Sequence, residues 1–331
     1  MEAKKPQRSA RSTLLFVAKI AVASALIGWL VKSRTLDFGA LGIFFRRPLL
    51  LVLDLALFGF GVVIASLRYR VLLGLAGIRF PLARLIQLQL TAVFFNVVIP
   101  GSVGGDVVKA LYVAREVAPL KRTTLLLIAF VERLLGLAGL IVIATLVTLV
   151  RFPTLFGDPL LRPTATTVLT LGAGTVLGAG AFLLFIRVGG ARLESWTSGP
   201  SAISKVLNQL VAATRLLVSG PRELVVALGL SMTMHAAGMA FFTLLTVSIT
   251  GQDVAYATVA TVFPLGVLTM VLPVAPAGLG VAHVAFERLF SAVGLTGGAT
   301  VFNVYLLGSI TPSLLGVFPY LALKRRGELP T

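Results

Sequence analysis

The chain has 331 residues, of which 57% are hydrophobic and 12% are charged, and its formal net charge is +17. A soluble domain carries about 25% charged residues, so this composition indicates an integral membrane protein. The sequence has no cysteine, which excludes disulfides and thiol catalysis. His235 and His283 lack the spacing of a zinc site, and no metal or other cofactor is expected. Lys and Arg flank apolar runs, which favours contact with lipid over binding of nucleic acid.

The first apolar run, 12–31, follows a basic start and resembles a secretory signal. Lys19 interrupts its apolar core, however, and a signal needs an unbroken core, so we interpret 12–31 as an uncleaved first helix. Runs of about 20 apolar residues can cross a bilayer. The sequence has six such runs, which lie at 12–31, 49–67, 123–150, 166–187, 223–249 and 300–323.

Two further apolar stretches, 82–99 and 255–272, each end in a Gly/Pro break and continue as a short helical segment, 106–118 or 280–293. Neither short segment can cross a bilayer alone. We therefore predict an all-α polytopic membrane protein with six spans and two opposed re-entrant hairpins. Most loop Lys and Arg then fall on one side, which predicts that both termini are cytoplasmic. The basic loop 32–48 falls outside and conflicts with this rule.

The two hairpins match at an offset of 173 residues. The matched pairs are Pro100 with Pro273, Gly105 with Gly278, Val108 with Val281 and Arg115 with Arg288. Paired breaks in oppositely oriented halves are typical of a transporter's midplane site. An inverted repeat and a chance match in a glycine-rich chain are both open at this point.

The sequence is interpreted as one membrane domain, 1–331, with halves at 1–188 and 223–331. The connecting segment, 189–222, has apolar residues at helical spacing but is too polar to span. It is predicted to lie on the cytoplasmic lipid surface as an amphipathic helix, or to pack on the bundle as a linker.

The first break, "NVVIPGSVGGD", is predicted to line a cavity, because irregular backbone at membrane depth must be covered by protein or water. The short helix after it directs free N–H groups towards an anion such as a lipid phosphate. Asp106 is predicted to cap this helix, with contact to a cationic substrate group as the alternative. Asp54 is expected to reach the interface, and Glu287 is expected to be a surface charge.

Glu132 and Arg133 lie about ten residues inside a span, where charged residues are rare and favour a functional role. Adjacent helical residues point about 100° apart, so each needs a partner elsewhere, and Asp106 or Lys109 is expected for one of them. The candidate substrate-binding residues come from the two breaks and these charges. They are Asn96, Pro100, Gly101, Ser102, Gly104, Gly105, Asp106, Lys109, Glu132, Arg133, Pro273, Gly278, Gly280 and Glu287.

Three blocks carry a family resemblance: the "LRYRVLLGL…NVVIPGSVGGDVVKALYVARE" region, "VERLLGLAGL" and "VLPVAPAGLGVAHVAFERLF". They resemble the lysylphosphatidylglycerol synthase transmembrane region family of flippase-like proteins, over nearly the whole chain. The resemblance implies a polytopic bundle that moves aminoacylated phosphatidylglycerol between leaflets, with relatives in isoprenoid or glycolipid pathways. The full synthases add a soluble catalytic domain, whereas this sequence stops at "KRRGELPT", so aminoacyl transfer is not implied.

The chain departs from the family pattern at two places. His283 stands where the family often has a Glu, with Glu287 further on, and the last span has no basic residue. Because of both departures, the sequence leaves the identity of the lipid headgroup open. Three functions are weighed: a translocase of lipids with charged headgroups, a membrane-embedded transferase, and an accessory subunit of a lipid-modifying enzyme. Because the sequence shows no nucleophile with a base and no paired carboxylates, we expect a transporter in the cell (inner) membrane rather than an enzyme.

Overall fold

The structure, a computed structural model, describes residues 38–98, 104–116, 122–159, 161–197, 208, 211–212, 214–216, 218–270 and 280–325. The first predicted span, 12–31, lies outside the described residues, as does most of 198–217. The same holds for five predicted site residues: Pro100, Gly101, Ser102, Pro273 and Gly278. Within the described ranges, every regular element is helical.

Twelve α-helices are described, and short connections join most of them. In chain order they are α1 Gly42–Arg46, α2 Pro48–Leu75, α3 Leu82–Val98, α4 Gly104–Glu116, α5 Arg122–Val150, α6 Phe152–Gly157, α7 Arg162–Thr197, α8 Pro221–Thr250, α9 Tyr256–Thr269, α10 Val281–Ala292, α11 Gly298–Ser313 and α12 Val317–Arg325. The 3₁₀ turns Phe38–Leu41 and Leu314–Gly316 precede α1 and α12.

Five stretches of the described chain are long and apolar enough to cross a membrane. They are Pro48–Leu75, Thr123–Val150, Arg162–Ile186, Pro221–Thr250 and Gly298–Arg325. They confirm five of the six predicted spans. The last one is built from α11, the 3₁₀ turn and α12 together.

Two helices run past their predicted ends. The helix α2 continues from the predicted end at residue 67 to Leu75, so Arg68 and Arg70 lie in the helix and not in a loop. It stops just before Gly77, whose φ of 67° is a left-handed conformation that glycine adopts without strain. The helix α7 continues to Thr197, so the start of the predicted amphipathic segment belongs to this helix.

The first hairpin, α3 with α4, has the predicted apolar helix and the predicted short helix, and the predicted break between them, 99–103, lies outside the described residues. Its two helices are antiparallel, since Asn96 Oδ1 accepts a hydrogen bond from the Gly105 N–H at one end (2.9 Å), and Arg84 pairs with Glu116 at the other (2.9 Å). Gly105 permits this contact, because a Cβ there would lie 1.9 Å from the Ala92 carbonyl oxygen.

The second hairpin, α9 with α10, is closed by aromatic packing. Gly266 of α9 leaves room for the Phe286 ring of α10, which would lie 2.4 Å from a Cβ at that position. Both hairpins therefore show the predicted pairing of an apolar helix with a short one. Their opposed orientation across a membrane stays a prediction.

The described residues form two apolar cores. One surrounds the C-terminal half of α2 with α3, α4 and α5, and the other joins α8, α9, α10 and α11. The long helices α2 and α8 pack on each other between these cores. Each hairpin thus belongs to its own core, and the polar residues described next lie where the first core meets α8.

Candidate functional site

A buried group of charges forms where α2, α3, α4 and α5 meet. Lys109 of α4 is its centre: Nζ donates to Glu132 Oε2 of α5 at 2.7 Å and to Gln89 Oε1 of α3 at 2.9 Å. The lysine is only 1% exposed. A lysine this deeply buried is tolerated when it is paired and hydrogen-bonded, and here it is both.

Arg68 of α2 completes the group on the other side of Glu132. One guanidinium nitrogen contacts Glu132 Oε1 at 3.2 Å, and the other donates to Ser231 Oγ of α8 at 2.9 Å. Both carboxylate oxygens of Glu132 are therefore engaged by cations. We call Arg68, Gln89, Lys109 and Glu132 the ion cluster.

The ion cluster has one positive charge in excess, because two cations face one carboxylate. The Tyr69 ring lies 4.2 Å from Lys109 Nζ, within the range of a cation–π contact. Among the described residues, neither Arg68 Nε nor the Tyr69 hydroxyl has a hydrogen-bond partner, although both atoms are buried. The cluster thus has a net positive charge, and two buried donors on α2, Arg68 Nε and the Tyr69 hydroxyl, lack an acceptor among the described residues.

A second ion pair lies beside the cluster on the same two helices. Arg133 of α5 donates from Nε to the Asp106 carboxylate of α4. The Arg133 side chain is 41% exposed, so this pair is far more accessible than Lys109. Glu132 and Arg133 have different partners, as predicted. Asp106 or Lys109 is expected as the partner of one of them, and the structure uses both: Lys109 pairs with Glu132, and Asp106 pairs with Arg133.

Asp106, which is predicted to cap α4, lies inside the first described turn of this helix, because α4 already includes Gly104. Its carboxylate pairs with Arg133. Residue 103 lies outside the described residues, so the capping role stays a prediction. The side chain that bonds a free N–H at this helix start is Asn96, which accepts from Gly105.

A cavity of about 250 Å³ adjoins the ion cluster between α2, α3, α8 and α11. Gln89 lines the cavity and also accepts from Lys109, so it belongs to both. Asp54 lines the cavity as well and is 6% exposed, which corrects the expectation that it reaches the interface. It is covered because α11 approaches through Gly308, where a Cβ would lie 2.6 Å from Asp54 Oδ1.

The described candidates in the second hairpin lie apart from the ion cluster. Glu287 is exposed, as expected, and its Oε2 accepts from the Ala299 N–H at the start of α11 (2.9 Å). Gly280 has a φ of 85° and lines a shallow groove with Arg288. Within the described residues, neither Gly280 nor Glu287 contacts the cluster.

Sequence reasoning missed Arg68, Tyr69, Gln89 and Ser231. The predicted second span ends at residue 67 and so leaves Arg68 in a cytoplasmic loop. The apolar residues after it, "VLLGL", in fact continue the helix towards Gly77. For Gln89 and Ser231 the sequence carries no such indication, because an isolated amide or hydroxyl in a span becomes part of a site only through its neighbours. The described residues hold no group of three His, Cys, Asp or Glu that could bind a metal ion.

Comparisons with known proteins identify the family of this chain. The sequence model described as "Lysylphosphatidylglycerol synthase TM region" matches residues 16–318, which include the ion cluster, the cavity and both hairpins. Neither the curated proteins nor the solved structures yield a match. The chain therefore belongs to the lysylphosphatidylglycerol synthase transmembrane region family and is a multi-pass membrane protein related to lipid modification or transport.

Proposed function

We propose that the protein moves lipids with a charged headgroup between the leaflets of the cell (inner) membrane, with both termini in the cytoplasm. The observation that carries this proposal is the ion cluster, in which Arg68 and Glu132 of two membrane-spanning helices meet Lys109 of the short helix α4, so that two cations face one carboxylate. Charged residues at such positions are rare and mark binding sites or transport pathways.

The composition of the ion cluster favours binding over a structural role. Replacing a buried ion pair by apolar residues is often neutral or stabilising, so stability alone does not account for it. A purely structural pair would also be neutral and fully bonded, whereas this cluster has an extra positive charge, and Arg68 Nε and the hydroxyl of the neighbouring Tyr69 have no acceptor among the described residues. A phosphate oxygen would supply the missing negative charge and the missing acceptors.

The exposed pair of Asp106 and Arg133 supports a route to the ion cluster. Arg133 is accessible and adjoins Glu132 on α5, while Asp106 and Lys109 share a face of α4. In the proposed mechanism a headgroup first contacts Arg133, then reaches Arg68 and Lys109, and its acyl chains stay in the bilayer. Aminoacylated phosphatidylglycerol and isoprenoid- or glycolipid-type phosphates both carry the required negative charge.

Leaflet exchange in liposomes tests the proposal. The full chain is reconstituted with fluorescent phosphatidylglycerol, its lysyl ester or an isoprenoid phosphate, and compared with Arg68→Gln. This variant removes the excess charge and one free donor but leaves Lys109 paired with Glu132, so the fold should persist. Arg70→Gln is the matched control, because Arg70 lies on the same helix and is exposed.

We expect exchange in the native protein and in Arg70→Gln, and its loss in Arg68→Gln. The proposal fails if none of the three lipids exchanges, or if Arg68→Gln exchanges them at the native rate. A monodisperse profile on size exclusion for each variant shows that the comparison is between folded proteins.

A second function, an accessory subunit of a lipid-modifying enzyme, is supported by α7. Only 11% of the apolar part of this helix is buried in the described structure, whereas at least 28% is buried in each of the other four spanning stretches. No described atom lies within 4 Å of a Cβ placed at Gly174 or Gly178, and such a pair of small residues suits contact with another membrane helix. This function predicts that Gly174→Leu with Gly178→Leu abolishes co-purification of an enzyme partner, while the native chain alone exchanges no lipid.

A further inference from the structure

Asp54 differs from the other carboxylates buried in the bundle. Glu132 contacts two cations, and Asp106 contacts one. Asp54 is as deeply buried as Glu132, yet among the described residues no hydrogen-bond donor or cation contacts its carboxylate. It lines the cavity that Gln89 shares with the ion cluster.

The helices packed on α2 bring one titratable group to the same cavity, namely Tyr305 of α11. The helix α3 contributes Gln89 and two valines, and α8 contributes Met234. The surroundings of Asp54 are therefore almost entirely apolar.

The other ionisable groups on the neighbouring helices are engaged elsewhere or exposed. On α3, Arg84 pairs with Glu116. On α8, a His235 ring nitrogen bonds the Gly136 carbonyl. Arg222 and Glu223 lie at the far end of α8 and are not buried, and Arg46 of α1 is exposed. None of these groups lines the cavity.

An ionised carboxylate without a donor or a cation is expensive in such surroundings, and binding a proton removes the cost. A metal cation would need several oxygen ligands. The cavity offers a single carboxylate, and its other side-chain oxygens are neutral, namely hydroxyls and the Gln89 amide, which already accepts from Lys109. The proton is therefore the cation that this cavity suits.

We propose that Asp54 is a proton-binding site whose charge state is linked to binding of an anionic headgroup at the ion cluster. The lipid part of this inference rests on the proposed function. With Asp54 ionised, its negative charge offsets part of the field of the excess positive charge of the cluster; uptake of a proton from water gives the neutral acid and removes that offset. An anion at the cluster then favours the protonated acid, and protonation favours the anion, because linkage is reciprocal.

Gln89 connects the two sites. It lines the same cavity as Asp54, and its Oε1 accepts a hydrogen bond from Lys109 Nζ. Asp54 and Arg68 are fourteen residues apart on α2, about 21 Å at 1.5 Å per residue. The coupling is therefore an interaction of charges across a medium of low dielectric constant, with no direct contact between the two.

Infrared difference spectroscopy tests proton binding without any transport. The full chain in liposomes is titrated with acid, and the C=O stretching band of a protonated carboxyl is recorded for the native protein and Asp54→Asn. Asp253→Asn is the matched control, because it removes one exposed carboxyl in a loop. We expect a band that grows as pH falls, persists in Asp253→Asn and is lost in Asp54→Asn.

Leaflet exchange with and without a pH gradient tests the linkage in the same samples. We expect the gradient to change the rate in the native protein and in Asp253→Asn, and the dependence to be lost in Asp54→Asn, whose amide mimics the protonated acid. The inference is overturned if the Asp54 band is absent or constant over the titration, if it responds to Na⁺ instead of pH, or if native exchange ignores the gradient. An absence of exchange with every lipid overturns the proposed function and the linkage, whereas the infrared titration still decides proton binding.

Discussion

The two hairpins share a backbone pattern and differ in chemistry. At the offset of 173 residues, Lys109 of the first hairpin corresponds to Ala282 of the second. Both positions are buried, at 1% and 0% exposure. Lys109 joins an ion cluster, whereas Ala282 belongs to a core in which the Phe286 ring stacks on Phe302 at 4.7 Å and packs against Phe242 at 5.1 Å.

This difference separates what shapes a hairpin from what gives it a function. Glycines allow the close approach in both, at Gly105 in one and Gly266 in the other. The side chains around those glycines then decide whether the interior is charged or aromatic. Under the proposed function, the first hairpin holds the headgroup and the second is a packed support.

The largest expected effect is that of Lys109→Met in the first hairpin. It leaves Glu132 Oε2 and Gln89 Oε1 without their donor, and each buried acceptor left unsatisfied costs about 1–3 kcal/mol of unfolding free energy. Thermal unfolding in detergent should show a large loss of stability, and Lys324→Met, at an exposed position, should show little.

A double variant sharpens this measurement. Adding Gln89→Leu to Lys109→Met removes one of the two acceptors left without a donor and should recover part of the lost stability. If Lys109→Met is as stable as the native protein, the ion pairs of Lys109 do not stabilise the fold. The chemical difference between Lys109 and Ala282 would then have no effect on stability.

A smaller effect is expected from Phe286→Leu in the second hairpin. Loss of the ring contacts with Phe242 and Phe302 should lower the unfolding free energy by about 1–2 kcal/mol. Exchange per folded molecule should stay at the native level, because the ring contacts no residue of the ion cluster. Loss of exchange in a protein of native stability would show that the second hairpin binds lipid, which would break the comparison.

The smallest effect on stability is expected from Arg133→Gln. Its partner Asp106 is partly exposed, and exposed ion pairs contribute about 0–1 kcal/mol. Exchange should nevertheless fall, since Arg133 is the proposed first contact of the headgroup. Urea unfolding and leaflet exchange, measured beside Arg70→Gln, separate the two roles; an unchanged exchange rate would leave the Asp106–Arg133 pair with a structural role alone.

The sequence by itself determined the membrane class, the five spans that the structure describes, and the pairing of an apolar helix with a short helix in each hairpin. Hydrophobic length and Gly/Pro breaks are enough for these features, because a bilayer imposes one apolar thickness and backbone hydrogen bonds must be satisfied within it. Helical geometry also predicted that Glu132 and Arg133 would have different partners, with Asp106 or Lys109 as one of them.

Only the tertiary structure decided which charges meet. The predicted end of the second span at residue 67 leaves Arg68 in a loop, and Asp54 is expected at an interface; both expectations are wrong. The same residue types fit both sets of roles, and hydropathy averages over the direction in which a side chain points. Those directions depend on which helices touch and on how closely they approach each other. Close contacts between different helices, such as Gly308 with Asp54 and Gly105 with Ala92, set both.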